Sequence, residues 1–162
     1  MSPTRRRRLR FTNLEDAVAD ARKLLSSGYT QAGNWSLAQV LGHCNDWLCY
    51  PMDGYPRPPL PLIPMMWLAK HTVGIRMRRK ILQTGKMKSG APTMPQTVKK
   101  PNFADDASML ERLAENVRRF EQFTGQLHAS PLFGAMTKAE HQQLQIIHLQ
   151  HHLSFLAPKS DV

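Results

Sequence analysis

Four stretches of the chain repeat apolar residues at steps of three and four, and none alternates with period two for long enough to argue a sheet. The first, residues 13–27, carries Leu14, Val18, Ala21 and Leu25 on one face. The second, 36–50, carries Leu37, Val40, Leu41, Cys44 and Leu48. A third, 105–128, runs through Leu110, Leu113, Val117, Phe120 and Leu127, and the last, 137–156, through Leu144, Ile147, His148, His152 and Phe155. Three of the starts share one device: "TNLE" (Thr12 to Glu15), "SLAQ" (Ser36 to Gln39) and "TKAE" (Thr137 to Glu140). In each, a hydroxyl can accept from the third helical N–H while the Glu or Gln side chain returns to the cap. Asp105 or Asp106 caps the third helix, and Gly28 and Pro51 are the stops after the first and second.

The connections order these helices. Short loops join the first to the second and the third to the fourth, which predicts two antiparallel hairpins. Between the hairpins lie residues 51–104, too many for a simple turn. The chain is therefore expected to be all-α, a four-helix bundle of up-down-down-up type whose long crossover carries an extra helix, "MMWLAKHTVGIRMRRKIL" (65–82). The following "GKMKSGAPTMPQTVKKPNF" should wrap the bundle in extended form. One domain over residues 11–158 accounts for this pattern, preceded by a basic flexible tail, 1–10.

Charge narrows the partners. Lys and Arg number 22 against 12 Asp and Glu, a formal net charge of +10, so the chain attracts anions. "RRRRLR" at the start and "RMRRK" at 76–80 could grip phosphate backbones, but no nucleic-acid-binding motif and no interleaved aromatics accompany them. A solvated tail and a solvated helix face account for both, and a nucleic-acid partner is not expected. The most apolar stretch, "PLPLIPMMWLA", is broken by Pro59, Pro61 and Pro64 and falls short of the roughly 20 residues of a membrane span. No secretory signal is visible, so the expectation is a cytoplasmic protein without a membrane partner. Cys44 and Cys49 point in different directions from one helix and read as reduced, small apolar residues.

The last helix concentrates histidines: "IIHLQHHLSFL", residues 146–156, holds His148, His151 and His152, and His141 precedes them. His148 and His152 lie roughly 40° apart and about one turn apart, so both imidazoles can reach one ion. His151 falls to the flank and is assigned to hydrogen bonding at the pocket rim. His141 lies about 10 Å before His148 along the axis, too far to share that ion. On the second helix His43 sits about 10 Å from the start, while the midpoint of His148 and His152 sits roughly 20 Å along the last helix. If the two helices face each other, all three imidazoles meet near mid-height. Buried together, they are costly unless a divalent metal uses them.

The pattern "NWSLAQVLGHCNDWL" followed much later by "HLQHHLSFL" resembles the DinB-like, or YfiT-like, superfamily of metal-dependent bundles. The Pro-rich crossover and "SPLFGAMTKAEHQQLQIIHLQHHLSFLAP" look like an uncharacterised, domain-of-unknown-function branch of it, over residues 11–157. The resemblance implies a divalent ion held by His43, His148 and His152. It also implies relatives that are thiol-dependent transferases and isomerases, and often dimers.

Three neutral nitrogens leave coordination positions open, the pattern of a catalytic site. Imidazole suits Zn, Ni and Fe alike. Taken with the resemblance, which is what implies the thiol chemistry, the expected function is a metal-dependent enzyme, hydrolase or thiol-transferase-like, acting on a small molecule such as an anionic low-molecular-weight thiol. Asp46, one turn after His43, is the candidate to orient an imidazole or serve as a base. The competing classes are a basic nucleic-acid-binding module with structural histidines and a metal-holding bundle without activity. A homodimer through Met65, Met66 and Trp67 is the expected assembly.

Overall fold

A computed structural model of the chain describes residues 6–90 and 94–159. The described residues are mostly helical, with one small sheet. The helices are α1 (Leu14–Ser27), α2 (Leu37–Asp53), α3 (Ile63–Ala69), α4 (Ile75–Thr84), α5 (Asp106–Gln122) and α6 (Lys138–Leu153). Strands β1 (Tyr29–Gln31) and β2 (Leu156–Pro158) pair antiparallel, with Thr30 opposite Ala157. Three-residue strands carry too little alternation to announce themselves in a sequence.

The starts of α2 and α6 form as their sequences dictate, with reciprocal capping by Ser36–Gln39 and Thr137–Glu140. At α1 the box is displaced by one residue from the expected one. Asn13 is the cap and accepts from the Asp16 N–H at 2.8 Å, while the Asp16 carboxylate accepts from Thr12 and Asn13. Leu14, Val18 and Ala21 are buried as expected, but the fourth core position is Leu24, not Leu25, which is 38% exposed.

Pro51 does not stop α2, contrary to expectation; the helix continues to Asp53 with Pro51 inside it. Conversely, the third long helix ends at Gln122, not at 128. Phe123 turns extended and packs its ring against the core, and Lys138 Nζ closes the helix end by donating to the carbonyls of Glu121 and Phe123 at 2.7 and 2.9 Å. The last helix likewise stops at Leu153 rather than 156. Arg7 donates to the carbonyls of Leu153 and Leu156 and forms a two-pronged ion pair with Asp20 of α1. The described part of the basic tail is thereby docked on the bundle; residues 1–5 lie outside the described residues.

One core joins the four long helices, built from Leu14, Val18 and Leu24 of α1, Leu37, Leu41 and Leu48 of α2, Leu113, Val117 and Phe120 of α5, and Leu149 and Leu153 of α6. Each such side chain contributes about 1.5–3 kcal/mol through burial. α1 and α2 pack mainly on α5 and α6 rather than on each other, so the short loop between them does not make them close neighbours. That loop instead spends itself on β1 and on Tyr29. The Tyr29 hydroxyl accepts from the Leu37 N–H (2.9 Å) and donates to Asp106, whose other oxygen accepts from the Ala38 N–H at 2.6 Å. One network thus ties the sheet to the starts of α2 and α5.

The crossover helix is longer than the expected 65–82. α3 and α4 are joined through a single π-helical turn, Lys70–Gly74. At Gly74 the helix meets the turn bridged by Ser130 and Gly134, and a Cβ there would lie 1.9 Å from the Leu132 carbonyl oxygen. Only glycine permits that approach. A small cluster of Ile81, Phe133, Leu144 and Ile147 fastens α4 to α6.

Candidate metal centre

Three residues of α2, spaced by one helical turn, face the chain segment 97–99. Gln39 Nε2 donates to the Lys99 carbonyl at 2.8 Å, His43 Nδ1 contacts the Thr97 carbonyl at 3.1 Å, and Asp46 pairs with Lys99 Nζ at 2.5 Å. The Pro-rich crossover therefore lies along α2 as a strap. A carbonyl only accepts, so His43 carries its proton on Nδ1 and turns the Nε2 lone pair inward.

That lone pair meets the two histidines of α6. His43 Nε2 and His148 Nε2 are 3.1 Å apart, and one ring nitrogen from each of His43, His148 and His152 lies within 4.8 Å of the others. Two bare lone pairs at 3.1 Å repel, so they share either a proton or a cation. Nitrogens bound at about 2.0–2.1 Å to one ion would sit roughly 3–3.4 Å from each other. His43 and His148 meet that spacing, and together with His152 they could hold such an ion.

Two indoles wall the cluster. Trp35 stacks flat on His152 (centroids 5.5 Å apart, planes 8° apart) and also lies 5.1 Å from His43. Trp47 meets His148 edge-on at 5.8 Å and His43 at 6.3 Å. The low-polarity surroundings act on the basicity of the imidazoles. Burial pushes His43 down to about 4, opposed by the Thr97 carbonyl and Asp46. Burial, then repulsion from His43 and His151, pushes His152 down to about 2, and His148 is held well below the usual histidine range for like reasons. All three are neutral at pH 7, the form that ligates metal.

His151 stands at the flank, as expected. Its Nδ1 lies 2.9 Å from the Arg6 guanidinium, which donates to it, and its ring packs edge-on against His152 and Phe155. Burial and then Arg6 lower it to about 4. Arg6 was not foreseen; it also donates to Ser154 Oγ and Ser89 Oγ, at 2.6 and 2.8 Å. His141 is not part of the cluster. It is 1% exposed, with neither ring nitrogen hydrogen-bonded among the described residues. Asp46 does not touch an imidazole nitrogen directly. It acts on His43 through its field and through Lys99, two residues from the Thr97 carbonyl. Cys44 and Cys49 are both free; burial pushes the Cys44 thiol far up, which removes it as a nucleophile.

A family model described as a protein of unknown function (DUF1569) matches residues 3–159. No curated protein and no solved structure matches the chain.

Proposed function

The chain belongs to the DUF1569 family, and we propose that within it this protein is a divalent-metal enzyme whose ligands are His43, His148 and His152. The observation that carries the reading is the convergence of one imidazole from α2 and two from α6. Their ring nitrogens lie within 4.8 Å, and a backbone carbonyl orients the first of them. Three ligands leave room on the ion for water and a substrate atom. When bound, the ion supplies Lewis acidity, lowering the pKa of water or holding a thiol as thiolate.

The chain's own groups do the rest. Trp35 and Trp47 shield the imidazoles from water. The Thr97 carbonyl fixes the His43 tautomer, and the pair Asp46–Lys99 holds the strap that carries that carbonyl. Asp46 is also the nearest candidate base. Arg6 places positive charge beside the centre, which suits an anionic small substrate such as a low-molecular-weight thiol. A transferase-like or hydrolytic reaction fits this set. We also read the bundle as DinB-like and up-down-down-up. The β1–β2 pairing supports this by bringing the ends of α1 and α6 together, and the Tyr29–Asp106 network does so by bringing the starts of α2 and α5 to the same end.

Elemental analysis of untagged protein, as purified and after incubation with Zn, Ni or Fe salts, tests the centre. One bound ion per chain is expected. His43→Ala, His148→Ala and His152→Ala should each abolish it while far-UV circular dichroism stays helical. A wild type that binds no ion under any of these conditions overturns the reading.

A further inference from the structure

Among the described residues, the exposed large apolar side chains gather in the crossover, Leu25 of α1 being the exception. Every residue of α3 is apolar and none is buried. Leu60, Met65, Trp67, Leu68 and Val73 are 81%, 60%, 61%, 58% and 62% exposed. A helix that is apolar on all sides is ordinarily enclosed by protein or lipid, and a patch of this kind marks a contact surface.

The charge of the same segment names the partner. From Gly54 to Ala104 the chain holds ten of its 22 Lys and Arg and none of its 12 Asp and Glu. The remainder balances at twelve of each, so the whole net charge of +10 resides in the crossover. Arg76, Arg79, Lys80 and Lys86 are exposed and follow α3 directly through the π-turn and α4. A second copy docked symmetrically here would set two all-basic segments against each other. A nucleic acid would engage the bases and leave α3 uncovered. An anionic bilayer satisfies both halves, since Trp and aliphatic side chains enter the headgroup and upper acyl region while Lys and Arg meet the lipid phosphates.

We propose that residues 60–86 are a peripheral docking surface for anionic lipid membranes. No helix among the described residues is long and apolar enough to cross a membrane, and lying on one requires no span. The expectation of no membrane partner rested on the missing span and the missing secretory signal, and neither bears on a surface that lies on a bilayer. This surface is independent of the metal centre.

Co-sedimentation of the full chain with phosphatidylcholine vesicles, with and without phosphatidylglycerol, tests the proposal. Binding should require phosphatidylglycerol and weaken with salt. Trp67→Glu with Leu68→Glu, which replaces only exposed residues, should lower partitioning roughly tenfold or more, as should Arg76→Ala with Arg79→Ala and Lys80→Ala. Circular dichroism of both variants should match the wild type. The proposal fails if the wild type ignores anionic vesicles or if the folded variants bind as well as it does. It also fails if light scattering shows a dimer that Trp67→Glu with Leu68→Glu dissolves, or if duplex DNA is retained where vesicles are not.

Discussion

Gln145 of α6 donates its side-chain amide to the backbone carbonyl of Trp47 in α2, at 2.7 Å. That carbonyl is the one left unpaired inside the helix, because Pro51, four residues on, has no N–H to give it. The interhelical bond therefore completes α2 and lets it run three residues further, and it clamps α2 to α6 beside the candidate centre. Gln145→Leu should destabilise the protein by about 1–3 kcal/mol, the cost of stranding a shielded acceptor. Pro51→Ala, which restores the helical N–H, should recover about 1 kcal/mol of that loss in the Gln145→Leu background and little in the wild type. Urea denaturation of the four proteins measures the coupling; strictly additive effects would mean that the two groups do not serve the same carbonyl.

The strap over His43 predicts a second coupling. Lys99→Met and Asp46→Asn each release the ion pair that fixes residues 97–99. As a pair about one-fifth exposed on each side chain, it is worth less than about 1 kcal/mol of stability. Metal affinity should fall further than stability implies, by about tenfold, because the Thr97 carbonyl no longer holds the imidazole. The double variant should be no worse than either single one. Competitive titration with a chelating dye measures this. A much larger loss in Asp46→Asn than in Lys99→Met would show that Asp46 acts on the centre directly.

How much of this was legible in the sequence depends on how local each cause is. The starts of α2 and α6 were readable because a capping box is a four-residue device. His148 and His152 were readable because i, i+4 spacing fixes their common direction, and His43 because it stands alone on the facing helix. The misplaced ends have distant causes: Gln145 rescues Pro51 from nearly a hundred residues away, and Arg7 closes α6 from the opposite end of the chain. At α1, Thr12 and Asn13 are both competent caps, and only the Asp16 carboxylate decides between them. The Thr97 carbonyl leaves no mark in any side chain.

Gly74 offers a test of how the crossover is seated. Gly74→Ala keeps helix propensity but places a methyl group 1.9 Å from the Leu132 carbonyl oxygen. α3–α4 must then move off the 130–134 turn, at a cost of about 1–3 kcal/mol. Thermal denaturation should show the loss, with metal content unchanged. A variant as stable as the wild type would mean that the crossover does not rest on this turn.

His141 separates a buried histidine from a ligating one. Both of its nitrogens are buried without a hydrogen-bond partner among the described residues, and burial, with Arg78 adding to it, holds its pKa below the ordinary histidine range. His141→Leu keeps most of the volume and removes two stranded polar atoms, so it should stabilise the protein by about 1–3 kcal/mol at pH 7. The gain should grow in acid. Below pH 6.5 the unfolded wild type binds a proton at this residue that the folded protein refuses, so wild-type stability falls with pH until the depressed folded value is passed. The variant lacks that loss, while the other histidines affect both proteins alike. Melting temperatures at pH 7 and pH 5 should therefore differ more between the two proteins at pH 5, with metal content at pH 7 the same in both. A destabilised His141→Leu protein, or one that loses its metal, would show that this imidazole has a partner the fold conceals.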